Sequence, residues 1–199
     1  MKLALFYDTE TTGLPLFREP SEHPNQPHIV QLAACLVDLY NRKTIACMDA
    51  TVRPDGWTIA DDVAAIHGIT TEKAQEIGIP ESLAVGMFME LWGHRVRIAH
   101  NEQFDARILR IALMRHEDNA TAEDWSSGTS QCTATMTTPI CQIPPTAKML
   151  AAGFKKFKTP NLTEAYQHFI GNSFENAHSA MADVQACMAI YFAMNGEKQ

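Results

Sequence analysis

Nothing in this 199-residue sequence is continuously apolar for the length that a membrane span requires. It also lacks internal repeats, low-complexity tracts and linkers, so a single domain over residues 1–199 with a sizeable core is expected. Cysteine is sparse and unpatterned, occurring only at Cys35, Cys47, Cys132, Cys141 and Cys187. Cys132 and Cys141 have neither CxxC spacing nor a second pair, which argues against zinc. Cys35, Cys47 and Cys187 lie in apolar segments and read as buried thiols in a reducing compartment. Met1-Lys2-Leu3 passes straight into a strand-like run without a cleavage region, so a cytoplasmic protein is expected. Positive charge is short as well. A formal net charge of -7 argues against broad, non-specific binding to a duplex backbone. It leaves room for an enzyme that holds an anionic substrate through metal ions and a few local cations.

The remaining composition, 46% apolar and 20% charged, is that of a globular protein. The stretch Leu3 to Gly13 (LALFYDTETTG) opens as a strand buried on both faces and ends in two carboxylates, Asp8 and Glu10. Residues i and i+2 of a strand share a face, so both carboxylates aim at one spot. Such a pair repels and resists desolvation, costs that a hard divalent cation would relieve. The same pattern also reads as a strand followed by a solvated polar turn.

Arg18 to Pro27 reads as a surface loop. Ile29 to Leu39 and Thr44 to Val52 read as strands joined at Asn41-Arg42-Lys43 into an antiparallel hairpin. Ala60 to Ile66 is expected to be a short helix closed by His67-Gly68. Glu81 to Trp92 has helical apolar spacing at Leu83, Met87 and Leu91. Val96 to Ala99 reads as a buried strand. Glu102 to Arg115 reads as a helix with Phe104, Ile108 and Ile111 inward. Between Thr121 and Pro160 the pattern weakens. Asp124 to Ser130 is loop-like, Ser130 to Ala134 is a weak strand, and Pro139, Pro144 and Pro145 oppose a long helix. Phe154-Lys155-Lys156-Phe157-Lys158 is a small basic-aromatic patch. It reads equally as a solvated loop with two anchoring aromatics or as a substrate contact. Leu162 to Ile170 and Ser179 to Asn195 are the last two helices, the latter with Met181, Val184 and Met188 inward.

Two more polar constellations stand beside the first. His100-Asn101-Glu102-Gln103-Phe104-Asp105 follows the strand Val96 to Ala99. Asp105 there could be a simple helix-dipole partner, and His100 and Asn101 capping residues. His178-Ser179-Ala180-Met181-Ala182-Asp183 opens the last helix and puts a carboxylate on an otherwise apolar segment.

Asp8-x-Glu10 with Thr11-Thr12-Gly13, His100-Asn101-x-x-Phe104-Asp105 and His178-x-Ala180-x-x-Asp183 together resemble the three motifs of the DEDDh 3′→5′ exonucleases. That group includes the proofreading epsilon subunit of bacterial DNA polymerase III, ribonuclease T and oligoribonuclease. The resemblance spans nearly the whole chain. It implies an α/β ribonuclease H-like fold, a five-stranded mixed sheet flanked by helices. It also implies two divalent cations, Mg²⁺ or Mn²⁺, held by Asp8, Glu10, Asp105 and Asp183. Two such ions, roughly 3.5–4 Å apart, activate water and stabilise the leaving 3′ oxygen. His178 is implied as the general base, placed on the loop entering the helix.

Substrate contacts follow from the same resemblance. Leu14 is expected to wedge against the terminal base, with ordinary packing as the alternative. His67, in Ile66-His67-Gly68-Ile69-Thr70, resembles a position that contacts the terminal nucleotide in the proofreading branch, and Asp62 is a weaker candidate. Main-chain N–H groups from Thr9 through Thr11 and Thr12 are expected to hold the 3′ hydroxyl or phosphate. The expected ligand is a single-stranded or frayed 3′ end, DNA before RNA, and the expected products are 5′-mononucleotides. Two alternatives are an RNA-directed exoribonuclease of the same family and a non-catalytic polymerase-docking module. Retention of all five motif residues argues against the module. The chain ends 16 residues after Asp183, so a freestanding enzyme is expected.

Overall fold

Leu3 to Tyr7 alternates large side chains across both faces of a strand, and this strand is the centre of the molecule. The computed structural model describes residues 2–172, 174 and 178–196. β1 (Leu3–Thr11), β2 (Ile29–Asp38), β3 (Lys43–Thr51), β4 (Val96–Ala99) and β5 (Ser130–Cys132) form one sheet in the order β3-β2-β1-β4-β5. β1–β2 and β2–β3 are antiparallel, whereas β1–β4 and β4–β5 are parallel. The expected mixed sheet of five strands therefore forms, with β1 between an antiparallel hairpin and a parallel half.

Period-two alternation then divides the core in two. Leu5 and Tyr7 face α3 (Glu81–Trp92), α4 (Glu102–His116) and α5 (Asn119–Ser127), packing with Phe88, Trp92, Leu109 and Trp125. Ala4 and Phe6 face α9 (Ala180–Met194), packing with Val184, Cys187 and Tyr191. The sheet is thus covered by helices on both sides. α1 (Asp61–His67) and α2 (Thr71–Ile77) add a third, smaller cluster around Val30, Ile59 and Ile69. α6 (Thr133–Cys141) and α7 (Ala147–Ala151) precede α8 (Leu162–Ile170), whose Asn161 side chain and Glu164 complete a capping box.

Several expectations are corrected. Of the segment Asp124 to Ser130 read as a loop, residues 124–127 are the second half of α5, whose N-cap is Asp118, its carboxylate accepting the Thr121 N–H at 2.7 Å. α6 runs through Pro139 and ends two residues later at Cys141, a helix of 9 residues that keeps the expectation that the prolines oppose a long one. In α3 the buried stripe is Ala84, Val85, Phe88 and Trp92, while Leu83 and Met87 are 51% and 44% exposed. Cys35 and Cys47 are not thiols. The hairpin register sets them directly opposite, Cα atoms 4.2 Å apart, and they form a disulfide in which Cys47 is exposed. Cys187 is the buried thiol that was expected. Among the described residues, no helix is long and apolar enough to cross a membrane.

Candidate active site

Parallel strands β1, β4 and β5 point their C-terminal ends the same way, and the polar motifs collect there. Asp8 and Glu10 come from β1, Asp105 from the first turn of α4 directly after β4, and Asp183 from the first turn of α9. β4 pairs with β1 only from Ala4 to Phe6, so the edge of β1 beyond Phe6 has no strand neighbour. Asp105 fills that gap. Its Oδ1 accepts the Thr9 N–H at 3.0 Å and the Thr9 hydroxyl at 2.7 Å. Thr9 therefore positions a carboxylate. Its N–H is not free for a substrate, contrary to expectation. The Thr12 N–H is likewise committed, to the His28 carbonyl at 3.0 Å, because the turn after β1 is tied to the start of β2.

Burial disfavours the charged form of these carboxylates, and neighbouring carboxylates add to it at Asp8 and Glu10. Burial, and then the charges of Asp105, Asp183 and Glu10, drive Asp8 well above the usual carboxylate range. Burial pushes Glu10 up to about 7, with Asp183 adding to it. Asp105 is 2% exposed, and burial pushes it to about 8 against the opposing hydrogen bonds from Thr9. Burial raises Asp183 to about 6, opposed by His178. Ligand atoms of Glu10, His178 and Asp183 lie within 4.8 Å of one another. Asp183 Oδ1 is buried with no hydrogen-bond partner among the described residues. An orphaned carboxylate oxygen among mutually repelling carboxylates is a donor set suited to hard divalent cations. The residues present therefore fit such ions.

His178 precedes the N-cap residue Ser179, in a left-handed conformation with φ 71°, and is exposed. This is the entering loop expected for it. Beside Glu10 opens a groove of about 250 Å³, lined by Thr11, Leu14, Val63, Ile66, His67 and Phe104. Leu14 is 76% exposed, which removes the packing alternative. His67 Nδ1 accepts the Ile69 N–H at 3.2 Å, which places the neutral ring's proton on Nε2. That buried Nε2–H has no partner among the described residues. Burial, then His178 and Lys73, lower the His67 pKa and favour this neutral form. Asp62 lies elsewhere. It is exposed on α1, accepts the Val63 N–H at 3.0 Å and does not line the groove. Val63, Ile66 and Phe104 were not anticipated as groove walls, although the i, i+3, i+4 spacing of Val63, Ile66 and His67 on α1 carries that signal.

The family model described as exonuclease matches residues 5–191, a span that contains all five motif residues. The chain belongs to the exonuclease family. Its Asp, Glu, Asp, His and Asp motif residues place it in the DEDDh group of that family, whose members generally use divalent metals. Among solved structures, one of exonuclease I matches with 22% identity and a TM-score of 0.74, covering 98% of this chain and 41% of that one. The zinc-bound form of Escherichia coli exonuclease I with single-stranded DNA matches with 21% identity and a TM-score of 0.73, covering 100% and 41%. The same E. coli enzyme with a dA16 oligonucleotide matches with 19% identity and a TM-score of 0.74, covering 100% and 42%. These likenesses give the exonuclease a ribonuclease H-like fold. The chain spans about two-fifths of the length of the exonuclease I chains it resembles. No curated protein matches the sequence.

Proposed function

We propose that this exonuclease removes 5′-mononucleotides from the 3′ end of single-stranded DNA, using two divalent cations, Mg²⁺ or Mn²⁺. The observation that carries the proposal is the convergence of Asp8, Glu10, Asp105 and Asp183 beside an open, largely apolar groove. When bound, such cations supply neutralisation of the charge that builds on phosphate oxygens and a lowered pKa for water. Asp8, central to the cluster, is assigned to both ions. Glu10 and Asp183 complete one site, and Asp105, steadied by Thr9, supports the other. His178 takes the proton of the attacking water, and its exposed position lets it do so at the open side of the carboxylates.

The terminal nucleotide is assigned to the groove. Leu14 presses on the base, and His67 Nε2–H donates to the nucleotide. A duplex end would have to fray before a base could enter. DNA is favoured because similar exonuclease I structures hold dT13 and dA16 oligonucleotides. The described part of the site presents no side chain assigned to base identity, so sequence-independent digestion is expected.

The test is digestion of end-labelled linear and circular single strands, of DNA and of RNA, with Mg²⁺ or with EDTA. Linear DNA should shorten from its 3′ end, and EDTA or Asp8→Ala should stop the reaction. Equal cutting of circular and linear strands would make it an endonuclease. Undiminished turnover in EDTA would remove the cations. Faster digestion of RNA would reassign the substrate.

A further inference from the structure

Phe154 and Phe157 are 65% and 46% exposed, and between them lie Lys155 and Lys156. Among the described residues neither lysine has an ion-pair partner, whereas Lys158 is paired with Glu164. Single exposed apolar residues are ordinary. Two phenyl rings flanking two uncommitted ammonium groups, on a chain of net charge -7, are not explained as a solvated loop. The segment is also held in place. The Phe154 N–H donates to the Met149 carbonyl at 2.9 Å, and the Lys158 N–H to the Ile143 carbonyl at 2.9 Å. The Pro160 carbonyl accepts from His100 Nε2 at 3.1 Å. Lys155, Lys156 and Phe157 line a groove of about 580 Å³ whose other walls include Thr135 and Thr138 of α6 and Thr159.

The position of this groove follows from the topology. β5 is parallel to β4 and runs directly into α6, so the first turn of α6 starts at the same end of the sheet as the carboxylates. Thr135 is in that first turn, with its hydroxyl on the Cys132 carbonyl at 2.9 Å. His100, which holds Pro160, leads into the helix that carries Asp105.

We infer that this groove binds single-stranded nucleic acid on the 5′ side of the scissile end, an inference that rests on the function proposed above. Lys155 and Lys156 meet phosphates, the Thr159 hydroxyl donates to the same backbone, and Phe157 stacks on a base. Lysine, hydroxyl and aromatic face are the elements that hold single strands without reading sequence. A peptide partner is disfavoured because the groove presents no carboxylate to pair with a basic segment and no unpaired sheet edge. The groove gives an otherwise acidic protein a local grip on a polyanion.

The test compares wild type with the Lys155→Ala/Lys156→Ala/Phe157→Ala variant by fluorescence anisotropy of labelled dT12 and dT3 in EDTA. All three residues are exposed, and an unchanged melting temperature confirms folding. The Kd for dT12 should rise roughly 10–100-fold, as expected for lost base stacking and phosphate contacts. The slope of log Kd against log salt should fall by about 1.4, for two phosphates on a single strand. dT3, which reaches only the metal end, should change by less than threefold. Lys155→Arg/Lys156→Arg should keep the wild-type affinity. Hydrolysis of the p-nitrophenyl ester of thymidine 5′-monophosphate should be unaffected in every variant. Unchanged dT12 affinity and salt slope would overturn the inference, as would equal losses for dT3 and dT12. If wild type cleaves neither ester nor oligonucleotide with Mg²⁺ or Mn²⁺, the nuclease reading fails, and the anisotropy comparison still decides the groove.

Discussion

Replacing Glu10 by glutamine in metal-free protein isolates the electrostatic cost of assembling the carboxylates. Burial and Asp183 hold Glu10 at about 7, against an ordinary value of 4.5. For an acid with a raised folded-state pKa, the folded chain holds the proton more tightly than the unfolded one. Stability is therefore full below pH 4.5 and is lost as pH rises towards 7, after which the loss is constant. The difference between the two values corresponds to about 3 kcal/mol at pH 8.5, and partial exposure of Glu10 reduces this to roughly 1.5–3 kcal/mol. A glutamine side chain cannot ionise, so Glu10→Gln should be more stable than wild type by that amount at pH 8.5. For a chain of this size that is a melting-temperature gain of roughly 3–12 °C. At pH 4.5 the two proteins should melt together. Saturating Mg²⁺ should reverse the order, because ligands that bind only the folded state stabilise wild type by mass action. The assay is thermal denaturation of both proteins in EDTA and in Mg²⁺ across pH 4.5–8.5. Coincident melting in EDTA at every pH would refute the reasoning that the site is built against its own charge to receive cations.

His178→Ala should lower the rate roughly 10²–10⁴-fold. Mg²⁺ affinity measured by calorimetry should be largely kept; a mutant retaining the wild-type rate would make His178 a loop residue only. Thr9→Val removes a hydroxyl that Asp105 accepts at 2.7 Å, and should raise the Mg²⁺ concentration for half-maximal activity roughly 10–100-fold. An unchanged metal titration would show that Asp105 is placed by other contacts. Arg97→Met should destabilise by roughly 3–5 kcal/mol in urea denaturation by leaving Glu102 buried without its cation, and adding Glu102→Leu should recover most of the loss. A single-mutant cost below 1 kcal/mol would count against that account.

The parts of the fold legible in the sequence are those fixed by local chemistry. α8 ends where expected because Gly171 takes the left-handed conformation, with Asn161 and Glu164 capping its start. Asp8 and Glu10 share a face because strands alternate, which needs no tertiary knowledge. The features that the sequence leaves hidden depend on partners far along the chain. α5 is a poor helix by propensity, with Asn, Thr, Asp and Ser among its residues. It is held by Trp125, which meets Tyr7, Phe88 and Trp92 edge-on in the core. On α3, two apolar stripes compete, and the aromatic pair Phe88 and Trp92 wins the interior over Leu83 and Met87. The Cys35–Cys47 disulfide requires the hairpin register, which the two strand-like runs do not specify alone. Thr9 as the support of Asp105 joins residues 96 apart in sequence.

The site also depends on a buried polar network beneath it. Glu102 is the first residue of α4, three positions before Asp105, and is buried. Its Oε1 accepts from Arg97 Nε of β4 at 2.8 Å and from the Tyr7 hydroxyl of β1 at 3.1 Å. Arg97 in turn lies 3.9 Å over the Trp125 ring and donates to the Trp125 carbonyl. One carboxylate thus ties β1, β4 and α4 together, with α5 closing the far side. Hydrophobic residues of similar volume would hold these elements with comparable stability. They would not fix the rotation of α4 about its axis. Rotation matters here because Asp105, one turn further on, must meet both hydrogen-bond donors of Thr9 while facing Asp8. The ion pair therefore acts through geometry. Its loss should loosen the Asp105 position even in a double variant whose stability has been restored. The Arg97→Met/Glu102→Leu protein should accordingly melt near wild type yet need more Mg²⁺ for half-maximal activity.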